Sequence, residues 1–156
     1  MSSESGAPEP KAGRLQNMAL MEAVIAVCVL AADADDDVQV CEMSSISAAI
    51  ATDPALGSVD MDKAEALLAD YLRMLEGDKA AAKRKLSDKI MRFFGDQNRS
   101  RSLMRVAYRI INSDHSIEEE EMNEFRRLCF MLDLDADRVF ADSAAMTGQA
   151  RDLGVL

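Results

Sequence analysis

The chain contains no Trp, two Tyr and five Phe, so aromatic residues make up only 4% of it. Sheets favour aromatic and β-branched side chains, and platforms for single-stranded nucleic acid stack bases on aromatic rings. Both classes are therefore disfavoured. Histidine occurs once, as His115, with no matched Ser or Cys nucleophile motif beside it. A catalytic triad and a histidine-rich metal site are thereby set aside. The three cysteines, Cys28, Cys41 and Cys129, form no CxxC pair. Two of them sit in apolar runs, where a free thiol behaves as a small hydrophobe, and a reducing cytoplasm suits them. Positive charge is in short supply, with 18 Lys and Arg against 28 Asp and Glu and a formal net charge of −10. Nucleic-acid phosphates would repel such a chain, which points instead to metal ions or basic partners. The one extended apolar run, Met18 to Ala32, follows Lys11 and Arg14 but is interrupted by Glu22. It reads as a core helix, too short to span a bilayer.

What the chain does have is Ala, Leu and eleven Met within a 49% hydrophobic composition, a balance that favours packed helices. Its 156 residues suit a single domain with its own core. Residues 1–13 read as a disordered tail, 14–147 as the helical domain, and 148–156 as a flexible tail. From about Arg14 to Ala32, apolar residues Leu15, Met18, Met21, Ile25, Cys28, Val29 and Ala32 recur at spacings of three and four, which predicts an amphipathic helix. After a loop at 33–37, helices are expected at about 38–52, 58–75, 78–94, 99–112, 116–132 and 136–146. Asp53-Pro54 ends the first of these. Gly77 should end the next in a left-handed conformation, and Gly95 the one after. The expectation is an all-α, single-domain bundle of about seven helices.

Sliding the chain by 79 residues lays AADADDDVQVCEM (31–43) on IINSDHSIEEEEM (110–122) without a gap. Asp35 then meets Asp114, Val38 meets Ile117 and Glu42 meets Glu121. The match continues in hydrophobic type, with Ile25 on Met104, Val29 on Tyr108 and Ile46 on Phe125. The fold is thus read as two pseudo-symmetric helical repeats, about 14–56 and 97–146. In each repeat Asp37 or Ser116 stands where a helix N-cap is needed, and Ser116 with Glu119 forms a capping box. Glu42 and Glu121 lie just beyond the first helical turn, and helical side chains slant toward the N-terminus. Each glutamate can therefore reach back toward its loop aspartate.

Should the repeats pack about a pseudo-two-fold axis, Asp35, Glu42, Asp114 and Glu121 converge as a candidate metal site. Crowded carboxylates raise one another's pKa unless a cation intervenes. An all-oxygen donor set suits Ca²⁺, Mg²⁺ or Mn²⁺ better than Zn²⁺. An EF-hand is excluded: Val38 or Ile117 stands at its glycine position, and Ser44 or Asn123 at its final glutamate. The competing account is that the aspartates cap helices and the glutamates complement helix dipoles, without a ligand.

The runs Ala34-Asp35-Asp36-Asp37-Val38 to Glu42 and Ser113-Asp114-His115-Ser116-Ile117 to Glu121 resemble the tellurite-resistance TerB-like family. Its repeats carry Ala-Asp-Gly, an aliphatic residue and then Glu at a loop-to-helix junction. Asp36 and His115 replace the family's glycine. The resemblance covers about residues 15–145. It implies an α-helical bundle with an acidic, metal-binding surface, no catalytic residues, and a role in tellurite, metal or oxidant stress.

Lys79, Lys83, Arg84, Lys85, Lys89, Arg92, Arg99, Arg101, Arg105 and Arg109 concentrate positive charge between acidic flanks. The segment reads as a solvated face of two helices, or as a peripheral contact with anionic lipid at the inner face of the membrane. Two functional classes follow. One is a non-enzymatic cytoplasmic protein that binds a divalent cation and engages protein partners. The other is a metal-free helical adaptor.

Overall fold

The computed structural model describes residues 8–34, 46–48, 51, 56, 59–112 and 119–141, with side chains of the first helix from Asn17 onward. Five helices are described from end to end: α1 (Pro8–Ala34), α2 (Met61–Glu76), α3 (Lys79–Met91), α4 (Gln97–Ile111) and α5 (Glu119–Met131). A short helical segment follows at 136–141, and no strand occurs among the described residues. The protein is all-α. Of the helix expected at 38–52, residues 46–48 and 51 are described, and all four are helical.

Aspartates set the starts of the middle helices. Asp60, Asp78 and Asp96 each accept a hydrogen bond from a backbone amide two or three residues on, at 2.9, 3.1 and 3.1 Å, satisfying first-turn donors that have no helical partner. The ends depart from expectation in one respect. Gly77 has φ −84°, outside the left-handed region, and its amide donates to the carbonyls of Arg73 and Met74. The left-handed terminators are instead Gly95 (φ 93°) and Asp133 (φ 59°). Around Asp133, the Leu134 amide donates to Cys129 and the Asp133 amide to Phe130, the paired bonds of a Schellman cap. Aspartate tolerates that conformation better than most residues.

α1 is the hub. It packs against α2, α3, α4 and α5, and from Leu20 to Ala32 every residue but Glu22 is buried. The periodicity predicts a helix with one apolar stripe, but a helix hydrophobic all round is one enclosed on all sides. It also begins at Pro8 rather than about Arg14. Proline is favoured in a first helical turn, where a missing amide costs no hydrogen bond. Asn17–Ala34 is long and apolar enough to cross a membrane, so the expectation that this run is too short fails on length. Most of it is buried by the other helices. Fully burying each Val, Ile or Leu contributes about 1.5–3 kcal/mol, and α1 supplies much of the shared core.

Helix directions follow from specific contacts. Lys89 meets Glu22 at 3.0 Å, while Lys79 and Lys83 meet Asp33 at 3.0 and 3.3 Å, so α3 runs antiparallel to α1. The tight Gly77-Asp78 connection sends α2 and α3 in opposite directions. Tyr108 and Phe125 stack edge-on at 5.5 Å, while Gln97 and Arg101 line a cavity with Asp133 and Val139. α5 is therefore antiparallel to α4, and α3 and α5 both begin at the end of the bundle where α1 finishes. Of the residues paired by the internal repeat, Ile25 and Met104 are both buried, as are Ile46 and Phe125, whereas Val29 is buried and Tyr108 only half-buried.

Candidate functional site

Of the four carboxylates singled out by the repeat, Asp35, Glu42 and Asp114 lie outside the described residues. Glu121 is described, and its position is distinctive. Three consecutive glutamates open α5, and Glu119 and Glu120 are exposed while Glu121 is 1% exposed. A charged carboxylate is costly to bury. Glu121 offsets part of that cost through a polar or electrostatic interaction and through its place at the positive end of the α5 dipole. Among the described glutamates of the run, Glu121 is the one that turns inward. Among the described residues, no group of three or more His, Cys, Asp or Glu side chains could hold a metal ion.

α1 ends at Ala34, one residue before Asp35, and α5 begins at Glu119, two residues before Glu121. Both termini lie at the same end of the bundle. The ordering of that end comes from a residue assigned to the loop by sequence. Asp33 occupies the last turn of α1, only 10% of its side chain is exposed, and Lys79 and Lys83 hold its two oxygens. A carboxylate beside a helix C-terminus opposes the dipole, and two lysines one turn apart on α3 offset that repulsion. The sequence signal was available: Glu22 and Asp33 are the acidic residues of the apolar part of α1, and Lys79 and Lys83 are spaced i,i+4. Asp33 would be the first ligand of an EF-hand-like loop, and its two lysine partners leave it committed elsewhere. This adds a physical reason to the exclusion of that motif.

The basic segment is only partly a solvated face. Lys79, Lys83 and Lys89 bind the acids of α1, and Lys89 also lies 5.9 Å from the Tyr71 ring centroid. The Tyr71 hydroxyl is buried without a hydrogen-bond partner, and burial, reinforced by the Glu22 charge, pushes its pKa upward. Beyond these residues, α3 and α5 leave a cleft of about 410 Å³ lined by Lys83, Arg84, Ser87, Asp88, Glu124 and Arg127. There Arg127 donates two hydrogen bonds to Glu124, at 2.8 and 2.7 Å. That pairing raises the arginine's pKa further and commits both charges to each other.

The two described thiols are both enclosed in the core. Cys28 and Cys129 are buried, and burial pushes the Cys129 thiol up to about 12, so the nucleophilic thiolate is suppressed. Cys41 lies outside the described residues.

The family described as "Tellurite resistance protein TerB" matches residues 21–142. That span includes α1 from its first fully buried residue, both repeated motifs and the final helical segment. No curated protein and no solved structure matches the chain.

Proposed function

We propose that this chain, which belongs to the TerB tellurite resistance family, is a non-enzymatic binding protein that takes a divalent cation through Asp35, Glu42, Asp114 and Glu121. The observation that carries this reading is the burial of Glu121 at the start of α5, at the end of the bundle where α1 delivers the chain to Asp35. A buried carboxylate is costly to desolvate, and a cation that it shared with the acidic residues following α1 would offset both that cost and their mutual repulsion. The all-oxygen donor set fits Ca²⁺, Mg²⁺ or Mn²⁺, whose preference is for hard ligands, and offers Zn²⁺ no thiolate and no imidazole.

The cation's role in this reading is structural and regulatory. It neutralises the acidic junction and fixes the two loops relative to one another, so that partner proteins meet one ordered surface. Membership of the family supports a role in tellurite, metal or oxidant stress, and the buried thiols Cys28 and Cys129 suit a reducing cytoplasm. The test is isothermal titration of chelator-stripped protein with Ca²⁺, Mg²⁺, Mn²⁺ and Zn²⁺ in turn. Saturable binding of one equivalent, lost in Asp35→Asn/Asp114→Asn, is expected. Absence of saturation at millimolar metal would leave the metal-free adaptor as the better account, with the acidic junction as a partner epitope.

A further inference from the structure

The two lysines that hold Asp33 stand at the edge of the acidic junction, and their contact does more than close the end of α1. Lys79 Nζ lies 3.0 Å from one Asp33 oxygen and Lys83 Nζ lies 3.3 Å from the other. The carboxylate is largely buried while both lysine side chains are half exposed. Each oxygen thus has its own ammonium partner. Asp78, the residue before Lys79, answers the positive end of the α3 dipole by capping the helix through the Ala81 amide.

Asp33 is the last carboxylate of α1, and Asp35 follows it by two residues. Chain length alone keeps their Cα atoms within about 7 Å of one another. Asp33, Asp35 and Asp37 alternate along the sequence, a spacing at which successive carboxylates serve a hard cation. The oxygens of Asp33 are turned to α3 instead. A divalent cation at the junction would meet two like charges at its edge and would find the nearest carboxylate of α1 already occupied.

We infer that the Lys79–Asp33–Lys83 contact regulates the cation site. The two ammonium groups serve as internal counter-ions that withhold Asp33 from coordination and oppose the cation by charge. This rests on the reading of Asp35, Glu42, Asp114 and Glu121 as ligands, and it adds what sets their affinity. Binding at hard-cation sites follows the number of charged ligands, so removing the lysines has a definite sign: the cation binds more tightly. A contact that merely positioned the end of α1 would have the opposite sign, because its loss would loosen the site. By linkage the effect is reciprocal, and a bound cation weakens the hold of α3 on Asp33.

The experiment is isothermal titration of the chelator-stripped full chain with Ca²⁺, Mg²⁺ and Mn²⁺, comparing the unaltered chain with Lys79→Gln/Lys83→Gln. The double variant is expected to bind about tenfold more tightly, the scale of one added charged ligand and two repelling charges removed. Adding Asp33→Asn to it should cancel most of that gain, and Lys79→Arg/Lys83→Arg, which keeps both charges, should retain the affinity of the unaltered chain. Circular dichroism reports the folding of each variant. Lys83→Gln alone, which leaves Asp33 its Lys79 partner, should gain about threefold and carries the test if the double variant does not fold. Unchanged or weaker binding by the glutamine variants, or a triple variant that keeps the whole gain, would overturn the inference and leave the cation site standing. Saturation in the double variant but not in the unaltered chain would uphold the inference and sink the cation reading for the unaltered chain. Saturation in neither would overturn both.

Discussion

Glu22 and Asp33 stand about three helical turns apart on α1 and both point at α3, where Lys89 answers the first at 3.0 Å and Lys79 and Lys83 answer the second. The apolar part of α1 carries no other acidic residue. The two contacts fix the sliding register of an otherwise featureless hydrophobic helix against its neighbour. Greasy surfaces alone would tolerate a shift by one turn, whereas a shift here would strand charges at both ends.

The register clamp should appear as specificity more than as bulk stability. A double-mutant cycle on Glu22→Gln and Lys89→Met, followed by urea unfolding, should give a coupling of about 0.5–1 kcal/mol. The Asp33 contacts, whose lysines are half exposed, should couple more weakly and lose more in high salt. Coupling of zero at Glu22 and Lys89 would remove the clamp from the account.

The enclosure of α1 makes a sharper prediction. Leu30 lies off the apolar stripe that the periodicity indicates, yet it is as buried as Ile25. Leu30→Ala and Ile25→Ala should each cost about 2–5 kcal/mol. A helix with one solvent-facing side would make the Leu30 change nearly neutral, and that result would contradict the hub arrangement.

Cys129 sets an alkaline limit. Its thiol pKa is raised by burial to about 12, so the native state holds its proton at pH values where the unfolded chain releases it. Stability should therefore be constant in this respect below the unfolded thiol pKa and fall as pH rises toward 12, with a limiting slope of about 1.4 kcal/mol per unit. Cys129→Ala should flatten that limb. Tyr71, whose pKa is also raised, acts in the same direction at higher pH, and Tyr71→Phe separates the two. The Phe variant should be neutral or mildly stabilising, since it removes a buried hydroxyl that has no hydrogen-bond partner.

Much of this fold is legible in the sequence. The scarcity of aromatics and the abundance of Ala, Leu and Met gave the all-α class, and the repeat singled out Glu121 from a run of glutamates in which two others are exposed. The all-round burial of α1 is marked by Leu20, Val24, Val27 and Leu30, which lie off the stripe where a solvent face would be polar, a signal that a search for spacings of three and four passes over. The aspartate cluster that begins at Asp33 signals a turn, which hides the helical place of Asp33 itself. Its place in the helix depends on lysines more than forty residues away, a contact that local spacing does not encode. A left-handed Gly77 is expected because that is glycine's commonest use at a helix end, whereas Asp133, of a type that tolerates the conformation better than most, is the residue that adopts it.

The measurement that bears most directly on the central claim is paramagnetic broadening of amide signals by substoichiometric Mn²⁺ in chelator-stripped protein. A single site shared by the two repeats predicts that signals at 33–42 and 112–121 broaden together at one occupancy, while those at 92–101 and 130–139 stay sharp. The same addition to Asp35→Asn/Asp114→Asn should leave all of them sharp. Broadening that appears at one repeat without the other, or that persists unchanged in the double variant, would contradict the shared carboxylate site.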